Sequence, residues 1–289
     1  MAKAASATAA AATALGRLPQ WDLSDLYPGR DSPELARDLD AVTAAAADFR
    51  ARHAGRLAAL SGAKIGAAIA EYERLEETLG RVTSYANLVY CTAMDDPEIG
   101  RFFQNTEERV NRISTELLFF TLELNRLSDA ELARAETAPA LAHYRPWLRD
   151  LRAFRPHQLD DAIEKLLHEK SVAGRAAWVR LFEESIDGLR FPIAGKELTS
   201  AEALHLLSDP EPAVRKEAAK SLGSVLGRNA RLFALVTNTL AKDKEIEDRW
   251  RAFPRPISSR NLGNFVEDGV VEALIAAVRG AYPALSHRY

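Results

Sequence analysis

His168-Glu169 is the one His-Glu dipeptide in a chain of 289 residues. It is also the first half of the H-E-x-x-H pattern by which a helix holds a catalytic zinc ion. The pattern works because side chains at i and i+4 leave the same helix face one turn apart, so two imidazoles converge on one metal. The glutamate between them handles the proton of the metal-bound water. Four residues after His168 stands Val172, which has no atom that binds a metal. Recruiting His157, His205 or Glu169 gives no ligand spacing either. The sequence therefore predicts no catalytic residue and no metal ligand, with His168 a polar residue at the edge of an apolar stripe and Glu169 and Lys170 in solvent. His53, His143 and His287 read as surface or helix-end histidines. No Gly-rich loop with a following Lys-Ser/Thr is present, and no nucleophile elbow, which removes nucleotide hydrolysis and that class of serine chemistry.

The elements around this dipeptide read as helices. Ser32-Pro33 supplies an N-cap and a first-turn proline, after which Leu35, Leu39, Val42, Ala46 and Phe49 recur in steps of four and three, the spacing of a core-facing helix. A second helix starts at Ser61, carries Ile65, Ile69, Tyr72, Leu75, Leu79, Val82, Ala86 and Val89, and stops at Asp95-Asp96-Pro97. The third keeps the same alternation from Ile99 to Leu127, as antiparallel bundle helices do. Ser128 with Glu131 makes a capping box for a short helix, and Pro139, Pro146 and Pro156 break the segment beyond it. The stretch 158–198 is expected to be one long, well-covered helix with the stripe Leu159, Ile163, Leu166, Ala173, Ala177 and Leu181. It ends in a β-hairpin, with Leu189, Phe191 and Ile193 on one face and a turn at Ala194-Gly195. Thr199 with Glu202 caps the next helix, and Ser208 with Glu211, with Pro210 in its first turn, another. Residues 253–264, with two prolines and a polar run, are expected to be an irregular loop. A last helix from about Glu267 is expected to bury Val271, Leu274, Ile275 and Val278. The fold expected is mainly α, an elongated bundle of long antiparallel helices with one small β-hairpin near 189–198.

Composition narrows the function classes. With 47% hydrophobic and 27% charged residues the chain has ordinary globular usage and can bury a sizeable core. A net charge of -3 and pI near 6.1, without a basic stripe interleaved with aromatics, argue against nucleic acid as a partner. No apolar run is long enough for a membrane span. The single Cys91 excludes an internal disulfide framework, fits a reducing cytoplasm, and reads as a small buried residue on a helix. Residues 1–14 make a poor signal peptide, being without a leucine-rich core. Residues 1–17 are expected to be a disordered Ala-rich tail.

Several segments together resemble oligoendopeptidase F, a zinc metallopeptidase of the thimet-oligopeptidase type that cleaves short peptides. They are Trp21-Asp22-Leu23 to Tyr27-Pro28; Tyr144-Arg145-Pro146-Trp147-Leu148; Leu166-Leu167-His168-Glu169-Lys170 with Trp178; Leu189-Arg190-Phe191-Pro192 with Gly195-Lys196-Glu197-Leu198-Thr199; and Pro256-Ile257-Ser258-Ser259-Arg260-Asn261-Leu262. Each is weak alone, and their order along the chain is that of the family. The resemblance runs from about Leu18 to Tyr289 and implies the N-terminal half only. The family's H-E-x-x-H and its third, glutamate ligand lie further on, and His168-Glu169 matches a position outside the zinc site. The resemblance implies an N-terminal bundle over 18–156. It implies a second part over 157–289 that leads towards a catalytic domain not contained in this sequence. It also implies a channel between two helical lobes, with short peptides as substrates and zinc as the cofactor of full-length relatives. This chain would form one wall and be inactive alone. Arg255, Arg260 and Asn261 are then candidate channel contacts, an arginine pairing with a peptide carboxylate or carbonyl through its fixed fork of donors; the alternative is a surface loop whose arginines pair with nearby acids. A free-standing helical module that binds peptides or proteins is the second functional reading.

Overall fold

The computed structural model describes residues 21–288; the expected tail over 1–17 and residues 18–20 after it lie outside them. Helix formation begins where local chemistry stops the chain from going elsewhere. The Ser32 hydroxyl accepts the Leu35 N–H and Pro33 opens the first turn of α1 (Pro33–His53), which buries Leu35, Leu39, Val42, Ala46 and Phe49. Ser61 caps α2 (Gly62–Thr92), and Asp96 caps α3 (Pro97–Arg126) ahead of a first-turn proline. Serine and aspartate act alike at these positions, their side-chain oxygens satisfying an N–H that the first helical turn leaves unpaired. Short connections fold the three helices against one another around a core that includes Phe49, Ile69, Leu117 and Phe120. The predicted Ser128–Glu131 capping box opens α4 (Asp129–Ala135). After a 3-10 turn over Pro139–Leu141, α5 (Arg145–Ala153) closes the core with Leu148.

The end of α4 and the 3-10 turn can lie so close to α2 because of two glycines. A Cβ at Gly62 would overlap the Ala135 carbonyl oxygen, and one at Gly66 would meet the Ala140 carbonyl oxygen and Cβ at 2.9 Å. The segment before α1 docks through Tyr27, with Trp21 left exposed: Tyr27 is buried, meets Tyr85 edge-on at 5.3 Å, donates its hydroxyl proton to Asp38 at 3.1 Å and carries the Arg81 guanidinium over its ring. Cys91 departs from expectation. It lies in the last turn of α2 and is exposed, since the buried face of the helix there is the one that carries Ala86 and Tyr90.

The expected long helix over 158–198 is broken. It is α6 (Asp161–Lys170), a 3-10 turn over Ser171–Ala173 and α7 (Arg175–Asp187), parted at Gly174. Nor is it well covered: neither helix has a fully buried residue, and Leu166, Leu167, Leu181 and Phe182 are exposed. The hairpin lies where the alternation places it, β1 (Phe191–Ile193) pairing antiparallel with β2 (Lys196–Leu198). Ala194 and Gly195 both have positive φ, as a two-residue turn matched to strand twist requires. Phe191 and Ile193 pack on Ala203 of α8 (Ser200–His205) and on Ala218, Leu222 and Val225 of α9 (Pro212–Trp250). Thr199 and Glu202 form their capping box. The next cap differs: Glu211 caps α9, Pro212 is the first-turn proline, and Ser208 ends a 3-10 turn. Asp209 takes the Glu211 N–H at 2.8 Å, so the cap shifts three residues on. The segment 253–264 is not irregular throughout, since α10 (Ser258–Gly263) forms within it before α11 (Asp268–Ala281). The molecule is mainly α, with one two-stranded sheet among the described residues.

Candidate functional site

His168 fastens two helices. It sits in the last turn of α6, half-buried, with Nε2 2.8 Å from the Ser114 hydroxyl of α3. Its carbonyl accepts the Asn111 side-chain N–H, also at 2.8 Å, and the Ser171 hydroxyl. Glu169 is exposed and pairs along its own helix with Lys165, while Val172 lies in the 3-10 turn. Among the described residues no three His, Cys, Asp or Glu side chains converge to hold a metal ion. The donors present therefore do not fit the zinc that the resemblance implies for full-length relatives.

The densest polar cluster lies where the end of α9 meets the start of α6. Arg251 forks onto Glu164, at 2.7 and 2.9 Å. It also donates to Glu247 at 2.8 Å and to the His157 carbonyl at 3.2 Å. His157 returns the contact: Nδ1 stands 2.7 Å from the Arg251 carbonyl, so that nitrogen carries the proton, and its ring stacks on Phe253 at 3.8 Å between centroids. Burial alone raises the pKa of Glu164, but the Arg251 fork and the Leu159 N–H outweigh it and hold the carboxyl below its ordinary value. A fork held by a carboxylate at both oxygens is the strong form of this pairing. The cluster borders a cleft of about 420 Å³ that Thr121, Lys244 and Asp248 also line. Asn125 and Gln158 present buried amide oxygens beside it that no protein donor satisfies.

The candidate channel residues divide. Arg255 pairs with Asp268 at 2.5 Å and with Glu272 at 2.7 Å, both acids being on α11. Asn261 is buried and donates its amide N–H to Asp268 at 2.7 Å. Arg260 is exposed. Lys244 of α9 holds the same segment through the Pro256 carbonyl and the Ser259 hydroxyl. So the structure brings Arg255 and Asn261 together on one acid and leaves Arg260 facing solvent. The Arg251–Glu164 fork is invisible in the sequence because its members are 87 residues apart and neither breaks an apolar pattern.

Beyond this cluster the apolar residues are uncovered. Val270, Leu274, Ile275 and Val278 of α11 are exposed, Leu274 at 65%, and α11 has no buried residue. That corrects the expectation of a core-facing last helix: of its four expected core residues, Leu274, Ile275 and Val278 are exposed and Val271 is only half-buried.

Comparison with known proteins points one way. A family model described as oligopeptidase F matches residues 123–191, a span that reaches three of the segments on which the sequence resemblance rests. Among solved structures, oligoendopeptidase-F from Enterococcus faecium has the same fold with a TM-score of 0.77 at 20% identity, over 86% of this chain and 50% of that one. A candidate peptidase from Chlamydophila abortus has a TM-score of 0.57 at 17% identity, over 92% of this chain and 45% of that one. No curated protein matches. The chain thus spans about half the length of the structures it resembles, and the resemblance to oligoendopeptidase F read from the sequence is borne out.

Proposed function

We propose that this chain is the N-terminal, channel-wall portion of an oligoendopeptidase F-like zinc metallopeptidase that hydrolyses short peptides, and that it is inactive by itself. The observation that carries the reading is the apolar face of α11, helical in period and open to solvent, in a chain spanning half of a peptidase fold. Burial of apolar area stabilises by about 25 cal/mol per Å², so a stripe of Val270, Leu274, Ile275 and Val278 is costly to leave wet unless something covers it. A second lobe carrying H-E-x-x-H and the third ligand would cover it and supply the zinc. The role left to this chain is steric: it narrows access to the metal so that short, unfolded peptides enter and folded proteins do not.

The experiment is the solution behaviour of the chain alone. Single exposed apolar residues are ordinary, but a stripe of this kind promotes association. The chain is expected to bind a hydrophobic dye and to self-associate in sedimentation as concentration rises, and the Leu274→Glu, Val278→Glu variant to do so less. A monodisperse monomer that binds no dye would instead favour a free-standing helical module.

Within this reading Arg260 is the channel contact, since Arg255 and Asn261 are already engaged with Asp268. In the full-length relative, Arg260→Ala is expected to raise KM for peptides about tenfold with little change in kcat, as loss of one charge-assisted hydrogen bond should. Unchanged kcat and KM would remove Arg260 from the substrate path.

A further inference from the structure

The Tyr144-Arg145-Pro146-Trp147-Leu148 segment is only partly explained by folding. Pro146 sits in the first turn of α5, Leu148 is buried in the main core, and Arg145 donates to the Glu136 carbonyl at 2.8 Å. Tyr144 and Trp147 remain, both half-buried. They form one wall of a cleft of about 500 Å³ between α5 and α2, the opposite wall being Tyr72, Glu73 and Glu76. That volume falls within the range of small-ligand sites.

The walls have one chemistry. Tyr72 and Glu76 are one turn apart on α2 and so share a face, and the Tyr72 ring lies 6.2 Å from that of Trp147, tilted by 42°. Glu73 accepts the Tyr144 hydroxyl at 2.9 Å, which turns its carboxylate toward the tyrosine. No lysine or arginine lines the cleft, and His143 is the only basic side chain there. Other acids of this region do find cations: Glu71, beside Tyr72 on the same helix, is bound by Arg52, and Asp38 by Arg81. Among the described residues neither Glu73 nor Glu76 has an ion-pair partner. Crowding by the packed helices raises the pKa of Glu76, and the Tyr72 hydroxyl offsets only part of the rise. The side chain still meets solvent at the mouth of the cleft, so the group is chargeable and accessible together.

We propose that this cleft binds the arginine side chain of a peptide. Aromatic faces attract a cation through their quadrupoles. A planar guanidinium can stack beside the Tyr72 and Trp147 rings while its fork of donors reaches two separate carboxylates, Glu73 and Glu76, which an ammonium point charge cannot do in one plane. The assignment does not depend on the peptidase reading, because the cleft is built mainly from α2, α5 and the turn before α5.

The test uses the whole chain and two labelled pentapeptides, Ala-Ala-Arg-Ala-Ala amide and its counterpart with citrulline, a neutral isostere of arginine, in fluorescence anisotropy titrations. The arginine peptide is expected to bind saturably and to weaken as salt rises, and the citrulline peptide to bind at least about tenfold more weakly. Glu73→Gln with Glu76→Gln should weaken the arginine peptide by about tenfold or more and leave the citrulline peptide unchanged. Both positions are exposed and hold no ion pair, so these variants keep the fold, as circular dichroism would confirm; Trp147→Leu is the second arm. Equal affinity for the two peptides, absence of saturable binding, or unchanged binding by the double glutamine variant would each overturn the proposal.

Discussion

Arg251→Ala is expected to lower the free energy of unfolding by about 3–5 kcal/mol, the range for removing one partner of a desolvated pair. The side chains of Arg251 and Glu164 are only 19% and 11% exposed, so the carboxylate left behind is poorly solvated. The variant also strips a donor from Glu247 and from the His157 carbonyl, and with them the contact that holds α9 against α6. An exposed pair has none of this: Arg101→Ala, which frees Glu98 at a site where both side chains are more than half exposed, is expected to cost at most about 0.5 kcal/mol. Replacing both members, Arg251→Met with Glu164→Met, should cost less than Arg251→Ala alone, because no unpaired charge remains buried. Urea unfolding of the parent chain and these three variants measures all of this. A loss below about 1 kcal/mol for Arg251→Ala would mean that the fork contributes little to holding the two parts together.

Alanine at Gly66 or Gly62 is expected to destabilise by about 1–3 kcal/mol, the cost of overpacking a tight contact, where helix propensity alone predicts a gain of about 1 kcal/mol. The added Cβ meets backbone, not the end of a flexible side chain: the Ala140 carbonyl at Gly66 and the Ala135 carbonyl at Gly62. Either α2 or its neighbour has to shift, the end of α4 at Gly62 and the turn over Pro139–Leu141 at Gly66, and Leu141 of that turn is wholly buried in the core. Gly80 on the same helix has nothing within 4 Å of an added Cβ, so Gly80→Ala should stabilise by roughly 0.5–1 kcal/mol. Thermal unfolding of the three variants then gives opposite signs along one helix. If all three stabilise, the close approach of turn and helix does not govern this part of the fold.

These two contacts mark where sequence reading ends. Caps are legible because their chemistry is local: Ser32, Ser61, Asp96, the Ser128–Glu131 box and the Thr199–Glu202 box each satisfy an N–H within three residues. The three bundle helices are legible because α1, α2 and α3 each carry a stripe long enough to define a face. The stripe across residues 158–187 is equally regular, but periodicity states that a face is apolar and says nothing of what covers it. Here Leu166, Leu181 and Phe182 stay exposed, and Gly174 interrupts the helix the stripe implies. The same limit applies to α11, where Leu274, Ile275 and Val278, expected in the core, are exposed and Val271 is only half-buried. Cys91 misleads for a related reason, since a small apolar residue on a helix can face either way. The cap of α9 shifts because Ser208, Asp209 and Glu211 compete for one helix start and the second proline, Pro212, decides it. As for the candidate channel residues, the pattern around Arg255 shows donors but not the acids on α11 that engage them.

Long-range contacts likewise take the catalytic question away from His168-Glu169. That dipeptide is bound up in contacts with Ser114 and Asn111 and has no second histidine one turn on, so it is not one half of a zinc-binding helix.

The most direct test is to read the coding sequence past the Tyr289 codon in the source genome. The expected result is a continuing or adjacent frame that encodes H-E-x-x-H followed by a downstream glutamate ligand, and with it the lobe that covers α11. A stop codon followed by unrelated sequence would contradict the proposed role as one wall of a two-lobed peptidase.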